Sequence, residues 1–261
     1  MLGPEGACLL KGRFLFASFA TFRKARYNPR GFLLAMANHA YLRVWTRGFS
    51  LETMIAEFAR FLTTAPLSAS RDTFEELIVQ AVDPGETAIA EWDLRPLHAG
   101  PAEVAAIAAQ HLNSDTAYIV SARWDLWAFN LESLKWERKP QPLVLFCHGL
   151  DYDDGVAATA GHFQADLGFE HFFTGHGGML PGAASSNPSN SSEHPVEHTF
   201  RQWMAASDNL KQYHDKTREN IQQLLQWLEA IERALPVKRT ELWSEGEEDM
   251  EARLDAILAQ R

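Results

Sequence analysis

The chain has 261 residues, 46% of them hydrophobic and 22% charged, which is enough for one large globular domain or for a domain with an appendage. Its two cysteines, Cys8 and Cys147, are too few for a disulfide framework. No apolar run reaches the roughly 18 residues that span a bilayer. We therefore expect a soluble protein in a reducing, cytoplasmic compartment, without a membrane span.

The net charge of −10 is unevenly distributed. Residues 1–50 carry eight Lys and Arg against one acid, Glu5, so this segment is +7 and the rest of the chain is −17. The basic segment could pack against the acidic body, contact nucleic acid or an anionic membrane, or act as a transit peptide. Packing against the body is the favoured interpretation, because one clustered charge excess is weak evidence for nucleic acid.

Helices and strands are predicted to alternate after the basic segment. Ser50 fits a helix N-cap, and apolar residues recur every three or four positions after it, which predicts an amphipathic helix over 51–64. A turn signal at 83–86, Asp-Pro-Gly-Glu, separates the runs 74–82 and 87–94. These two runs are therefore predicted to form a β-hairpin.

The next part of the chain predicts a second helix and three more strands. Residues 101–112 are Ala-rich with proline at the start, which is typical of a helix. Residues 116–129 and 142–148 are rich in β-branched and aromatic side chains, which favours strands. Polar and apolar residues alternate over 162–167 between two glycines, and this pattern favours a strand over a helix.

These elements predict an α+β fold, with an antiparallel-dominated sheet packed on helices and a long amphipathic helix near the C-terminus. Residues 1–180 would form the α+β domain, which includes the basic N-terminal segment. Residues 181–195, rich in Ser, Pro and Asn, would be a flexible linker. Residues 196–261 would form a helical C-terminal region, in which helical spacing of apolar residues over 196–235 is typical of a packed hairpin or a subunit interface.

Histidine is concentrated in one segment: six of the ten histidines fall within residues 148–198, with acids among them. Imidazoles and carboxylates are ligands for zinc and other divalent metals, and ligands on neighbouring strands and loops can converge on folding. A divalent metal is therefore the candidate cofactor. The candidate ligands are His148, Asp151, His162, Asp166, His171 and His176.

Two shorter patterns in this segment do not indicate catalysis. His194 to His198 reads His-Pro-Val-Glu-His and matches a metallopeptidase pattern, but Pro195 disfavours helical geometry at His194. We interpret it as the start of a helix. Cys147 and His148 are adjacent on a predicted strand, where their side chains point to opposite faces, so they do not form a dyad.

The chain contains no complete catalytic constellation, and two functional hypotheses remain. In the first, the protein is a non-enzymatic intracellular interaction or regulatory protein whose helix over 196–235 contacts another protein or a second copy. In the second, it is a metal-dependent hydrolase that uses the His- and Asp-rich segment 148–176. The sequence decides neither the activity nor the substrate, ligand or oligomeric state.

Overall fold

The computed structural model of the chain describes residues 38–130, 133–175, 200 and 202–259. Four predictions lie outside the described residues: the basic segment up to residue 37, the linker at 181–195, the helix start at His194, and the candidate ligand His176.

The described residues contain strands that form one antiparallel sheet, ordered β3-β2-β4-β5-β6-β1-β7. The strands are β1 (His39–Thr46), β2 (Glu76–Ala81), β3 (Ala90–Asp93), β4 (Thr116–Asn130), β5 (Lys135–His148), β6 (Phe163–Phe169) and β7 (Val237–Ser244). The helices are α1 (Leu51–Thr64), α2 (Pro101–Ala109), α3 (Ala157–Ala160), α4 (His171–Thr174), α5 (Ser207–Ala234) and α6 (Met250–Leu258), and a 3-10 turn spans Tyr152–Gly155. The predicted α+β class, antiparallel sheet and long C-terminal helix are confirmed.

Local sequence signals account for several of these elements. Helix α1 has the predicted bounds, and the Ser50 amide donates to the Thr53 hydroxyl at 3.0 Å at its start. Strands β2 and β3 form the predicted hairpin, although β3 is only four residues long. Strand β5 begins at Lys135 instead of the predicted residue 142. Its first half contains charged residues and prolines, but it pairs with the C-terminal half of β4 and therefore belongs to the strand.

One face of the sheet carries the hydrophobic core, and the long helices pack there. Alternate residues of the strands point to this face. Phe58 of α1 stacks on Tyr118 with ring centroids 5.7 Å apart. Trp227 of α5 meets Trp124 of β4 at 6.0 Å. Because the apolar side chains of α1 and α5 interleave above the sheet, the helical layer and the sheet share one core.

The C-terminal region joins the same core. Strand β7 pairs with β1 along most of its length, and Met250, Leu254 and Ile257 of α6 are buried in the core cluster. Residues 237–244, within which the residues 240–243 predict a short strand, therefore contribute an edge strand to the sheet, and the rest of the described C-terminal region is mainly helical.

Asn220 ties α5 to the edge of β4. Its side chain is 2% exposed. The Oδ1 atom accepts from the Trp127 amide at 2.8 Å, and Nδ2 donates to the carbonyls of Trp127 and Phe172, each at 3.0 Å. A side-chain amide thus pairs with a strand peptide as a neighbouring strand would, and it also fixes α4 beside α5.

We predict that Asn220→Leu destabilises the protein by about 2–4 kcal/mol, because it leaves the backbone partners of Asn220 without hydrogen bonds in a buried site. Urea unfolding monitored by circular dichroism measures the change. Gln222→Ala, on the exposed side of the same helix, is the control and should cost less than about 0.5 kcal/mol. Equal stabilities of the two variants would contradict the anchoring role of Asn220.

Candidate functional site

The face of the sheet opposite the long helices is the candidate functional site, and we call it the open face. Two rows of paired residues define its centre. The first row is Ile78, Ile119, Phe146, Gln164, Arg43 and Glu241. The second row is Glu76, Ser121, Val144, Asp166, Tyr41 and Trp243.

Within the described residues, the segment 149–161 crosses one end of the open face. The indole Nε1 of Trp45 donates to the carbonyl of Ala157 at 3.0 Å. The Tyr152 ring lies parallel to His148, with centroids 6.1 Å apart. These contacts cover the end of the face at β5 and β1, while both central rows remain partly exposed.

The middle of the open face is apolar. Ile78, Ile119 and Phe146 lie side by side on β2, β4 and β5, and Val144 lies next to them in the second row. All four side chains are half-buried. The described residues therefore present an apolar strip, and the residues around it are charged or polar.

An aromatic–arginine cluster lies on β1 and β7, and Gln164 and Asp166 of β6 separate it from the apolar strip. The rings of Tyr41 and Trp243 are 5.2 Å apart, and the Arg43 guanidinium lies 4.7 Å from the centre of the Trp243 ring. Trp243 is 37% exposed. Arg43 approaches Glu241 only at 3.7 Å, and its buried Nε has no hydrogen-bond partner among the described residues.

A polar network borders the cluster. His39 Nδ1 lies 2.9 Å and 3.0 Å from the two carboxylate oxygens of Asp166, and this hydrogen bond holds the pKa of His39 above its ordinary 6.5. Glu245 accepts from the His39 backbone amide at 3.0 Å and from the Tyr41 hydroxyl at 3.2 Å. Burial and these carboxylates raise the pKa of Tyr41, so its hydroxyl stays protonated and donates.

The candidate ligands His148 and His162 lie at the covered end of the face. The His148 amide donates to the His162 carbonyl at 2.9 Å. Their rings, however, have separate partners: His148 Nδ1 bonds to the carbonyl of Gly161 at 2.9 Å, whereas His162 Nδ1 accepts from the Thr46 amide at 3.1 Å. Burial lowers the pKa of each imidazole to about 4, so both are neutral at pH 7.

The other candidate ligands lie apart from this pair. Asp166 is paired with His39, which sequence reasoning did not identify. His171 is on α4 with its ring 4.5 Å from Phe172, and the Asp151 amide donates to the Ser114 carbonyl at 2.8 Å in a loop. In the part of the chain that the structure describes, no three His, Cys, Asp or Glu side chains are placed to hold a metal ion.

Sequence reasoning missed Arg43 and Trp243 as well as His39. The signal was present over residues 39–46, where polar and apolar residues alternate as in a half-buried strand. The partners Asp166 and Glu241 lie more than 100 residues away along the chain, and no local pattern connects them to β1.

Comparison with known proteins adds no assignment to this geometry: no protein-family model, curated protein or solved structure matches the chain. None of the described helices is both long enough and apolar enough to cross a membrane.

We predict that the protonation of His148 by itself lowers the free energy of unfolding by about 2 kcal/mol between pH 7 and pH 5. Its folded pKa of about 4 lies below the unfolded 6.5, so its stabilising contribution is present above pH 6.5 and is lost as the pH falls towards 4. His148→Asn, measured by urea unfolding at both pH values, should remove that part of the dependence. Tyr152→Phe, which keeps the stacked ring, should retain it, and equal pH dependence of wild type and His148→Asn would contradict the prediction.

We predict that Asp166→Asn lowers the pKa of His39 towards 6.5, because the carboxylate is the main cause of its elevation. The ion pair stabilises the fold fully below pH 6.5, and its contribution is lost as the pH rises through the raised folded pKa. An NMR titration of the His39 Cε1 proton measures the change. Glu245→Gln should give a smaller shift, since that carboxylate acts only through longer-range attraction; a larger shift with Glu245→Gln would refute this ranking.

Proposed function

We propose that this protein is a non-enzymatic binding protein that holds another protein on its open face. The observation that carries the proposal is the preformed cluster of Tyr41, Arg43 and Trp243 on the same sheet face as an apolar strip, with only strand β6 between them. Protein interfaces commonly combine an apolar centre with a polar rim, and Trp, Tyr and Arg contribute a large share of the binding energy.

The cluster is ordered before any partner arrives. The tilted ring contact between Tyr41 and Trp243 and the position of Arg43 over Trp243 restrict all three side chains. Side chains that are already restricted lose less conformational entropy on binding. This preorganisation supports a role in recognition.

The contacts of Arg43 indicate which chemical group the partner should carry. Its Nε is buried without a hydrogen-bond partner among the described residues, and the 3.7 Å approach to Glu241 is too long for a good hydrogen bond. The Arg43 side chain is 20% exposed, so a carboxylate or a backbone carbonyl from the partner can reach the terminal N–H groups of the guanidinium. We therefore expect the partner to place such an acceptor about 10 Å, two strand spacings, from an apolar side chain that covers the strip.

The edges of the sheet are less suited to binding than its face. The Leu242 amide of edge strand β7 donates to the Glu251 carboxylate at 3.1 Å, and exposed Lys238 and Arg239 lie on the same strand. The opposite edge strand, β3, is only four residues long. Short and charged edge strands discourage the addition of a further strand.

The predicted contact through the helix over 196–235 is not favoured as the interaction surface. The apolar stripe of α5 packs inside the protein, where Ile221, Leu224 and Trp227 are at most 3% exposed. Trp203 and Leu228 are half-buried against the same core. Self-association through this helix would require these side chains to leave the fold.

Photo-cross-linking tests the proposal. A benzophenone amino acid replaces Gln164, which lies between the strip and the cluster on the open face, and a second variant carries it in place of Gln222 on the exposed side of α5. We expect a discrete adduct with another protein only from the position of Gln164. Mass spectrometry identifies that protein, which is then purified for binding measurements.

The purified partner should bind Trp243→Ala and Arg43→Ala at least about tenfold more weakly than wild type, a loss of about 1.4 kcal/mol or more. Gln222→Ala should bind as wild type does. Circular dichroism checks that each variant is folded. Unchanged affinity of both open-face variants would overturn the proposal. An adduct with a second copy that disappears when Trp243→Ala is added to the open-face cross-linking variant would replace the heterologous partner by self-association.

A further inference from the structure

A cavity of about 320 Å³ lies between the far end of the β4–β5 hairpin, α4 and the first half of α5. It lies within the range of small-molecule pockets, at the lower end. The described residues that line it include seven aromatic side chains, among them Trp127, Phe129, Trp136 and Tyr213. None of the residues in the two central rows of the open face line the cavity.

The aromatic walls have fixed relative orientations. Trp136 lies 5.3 Å from Tyr213 and 5.4 Å from Phe129, at interplanar angles of 58° and 60°. Phe129 also contacts Trp203 at 4.5 Å. Rings arranged in this way offer both faces and edges to a planar guest.

The Trp136 side chain also carries a hydrogen-bond donor that has no acceptor among the described residues. This donor is the buried indole Nε1. The indoles of Trp45 and Trp227 do have partners, the Ala157 carbonyl and the Thr64 hydroxyl. Trp124 also lacks one, but it is fully buried in the core. A buried N–H without an acceptor is costly, so the one on a cavity-lining residue points to an acceptor supplied by a guest.

The charge of the lining favours an anion. The described lining residues include Lys139 and no Asp or Glu. Gln141, 8% exposed, adds a side-chain amide. The amide donor of Asn220 is already used by two backbone carbonyls and is not available. The described lining thus carries one positive charge and no carboxylate to balance it.

We infer that this cavity binds a planar aromatic molecule that carries a carboxylate. The ring stacks among Phe129, Trp136 and Tyr213, and the carboxylate accepts from Trp136 Nε1 and Lys139. The inference is independent of the proposed protein-binding function, because it uses none of the residues tested there.

The probe is 2-naphthoate, added to the full chain and followed by calorimetry and by NMR of the tryptophan indole groups. The chain has eight tryptophans, so the Trp136 Nε1–H signal is assigned by its disappearance in Trp136→Phe. We expect saturable binding and a downfield shift of that signal. Neutral 2-naphthalenemethanol should bind at least about tenfold more weakly, because it has no carboxylate for the charged donor.

Three variants separate the possible outcomes. Trp136→Phe keeps the ring but not the donor and should weaken 2-naphthoate about tenfold. Lys139→Met, at an exposed position, should weaken the anion more than the alcohol. Trp243→Phe, on the open face, should change neither. The inference would be overturned if 2-naphthoate showed no saturable binding at millimolar concentration, or if both Trp136→Phe and Lys139→Met bound it as well as wild type does. Neither result would affect the proposed protein-binding function.

Discussion

The hydrogen bonds of Asn220 are the constraint on which the arrangement of this protein depends. Strand β4 has β2 as its neighbour only from Thr116 to Ser121. The Ser68 amide donates to the Arg123 carbonyl at 2.7 Å, and without Asn220 the edge would be unpaired at Trp127. Asn220 supplies partners for the Trp127 backbone from a helix, which allows a 28-residue helix to lie against the sheet. Its third bond, to the Phe172 carbonyl, holds α4 in the same place.

Once α5 is held there, the two sides of the sheet have different roles. The core side receives α1, α2 and α5, and Trp227 joins Phe61 and Trp124 in one aromatic cluster. The apolar side chains of α5 that suggested a subunit interface are therefore internal. The opposite side keeps its partly exposed apolar strip and the ordered cluster around Arg43, which is why recognition is better placed on the face than on the helix.

Local patterns predicted the fold class and α1 because helix periodicity, caps and turn residues act over a few positions. They could not place β1 between β6 and β7, since that pairing joins residues more than 100 positions apart. The same limit applied to the site. Histidine enrichment in residues 148–176 indicated metal binding, whereas His148 and His162 bond to nearby backbone groups as neutral rings and Asp166 pairs with His39. Composition identifies the titratable groups, and only packing determines their protonation state and partners.

The cavity follows from the unequal lengths of the strands. The β4–β5 hairpin extends well past β2 and β6, which pair with it no further than Ser121 and Val144. The overhanging part is covered by α4 and α5, and the aromatic side chains that meet there leave a space unfilled. The indole of Trp136 is left buried without an acceptor at that point. The same overhang that requires Asn220 to satisfy the β4 backbone thus creates an aromatic cavity beside a buried indole N–H that has no acceptor among the described residues.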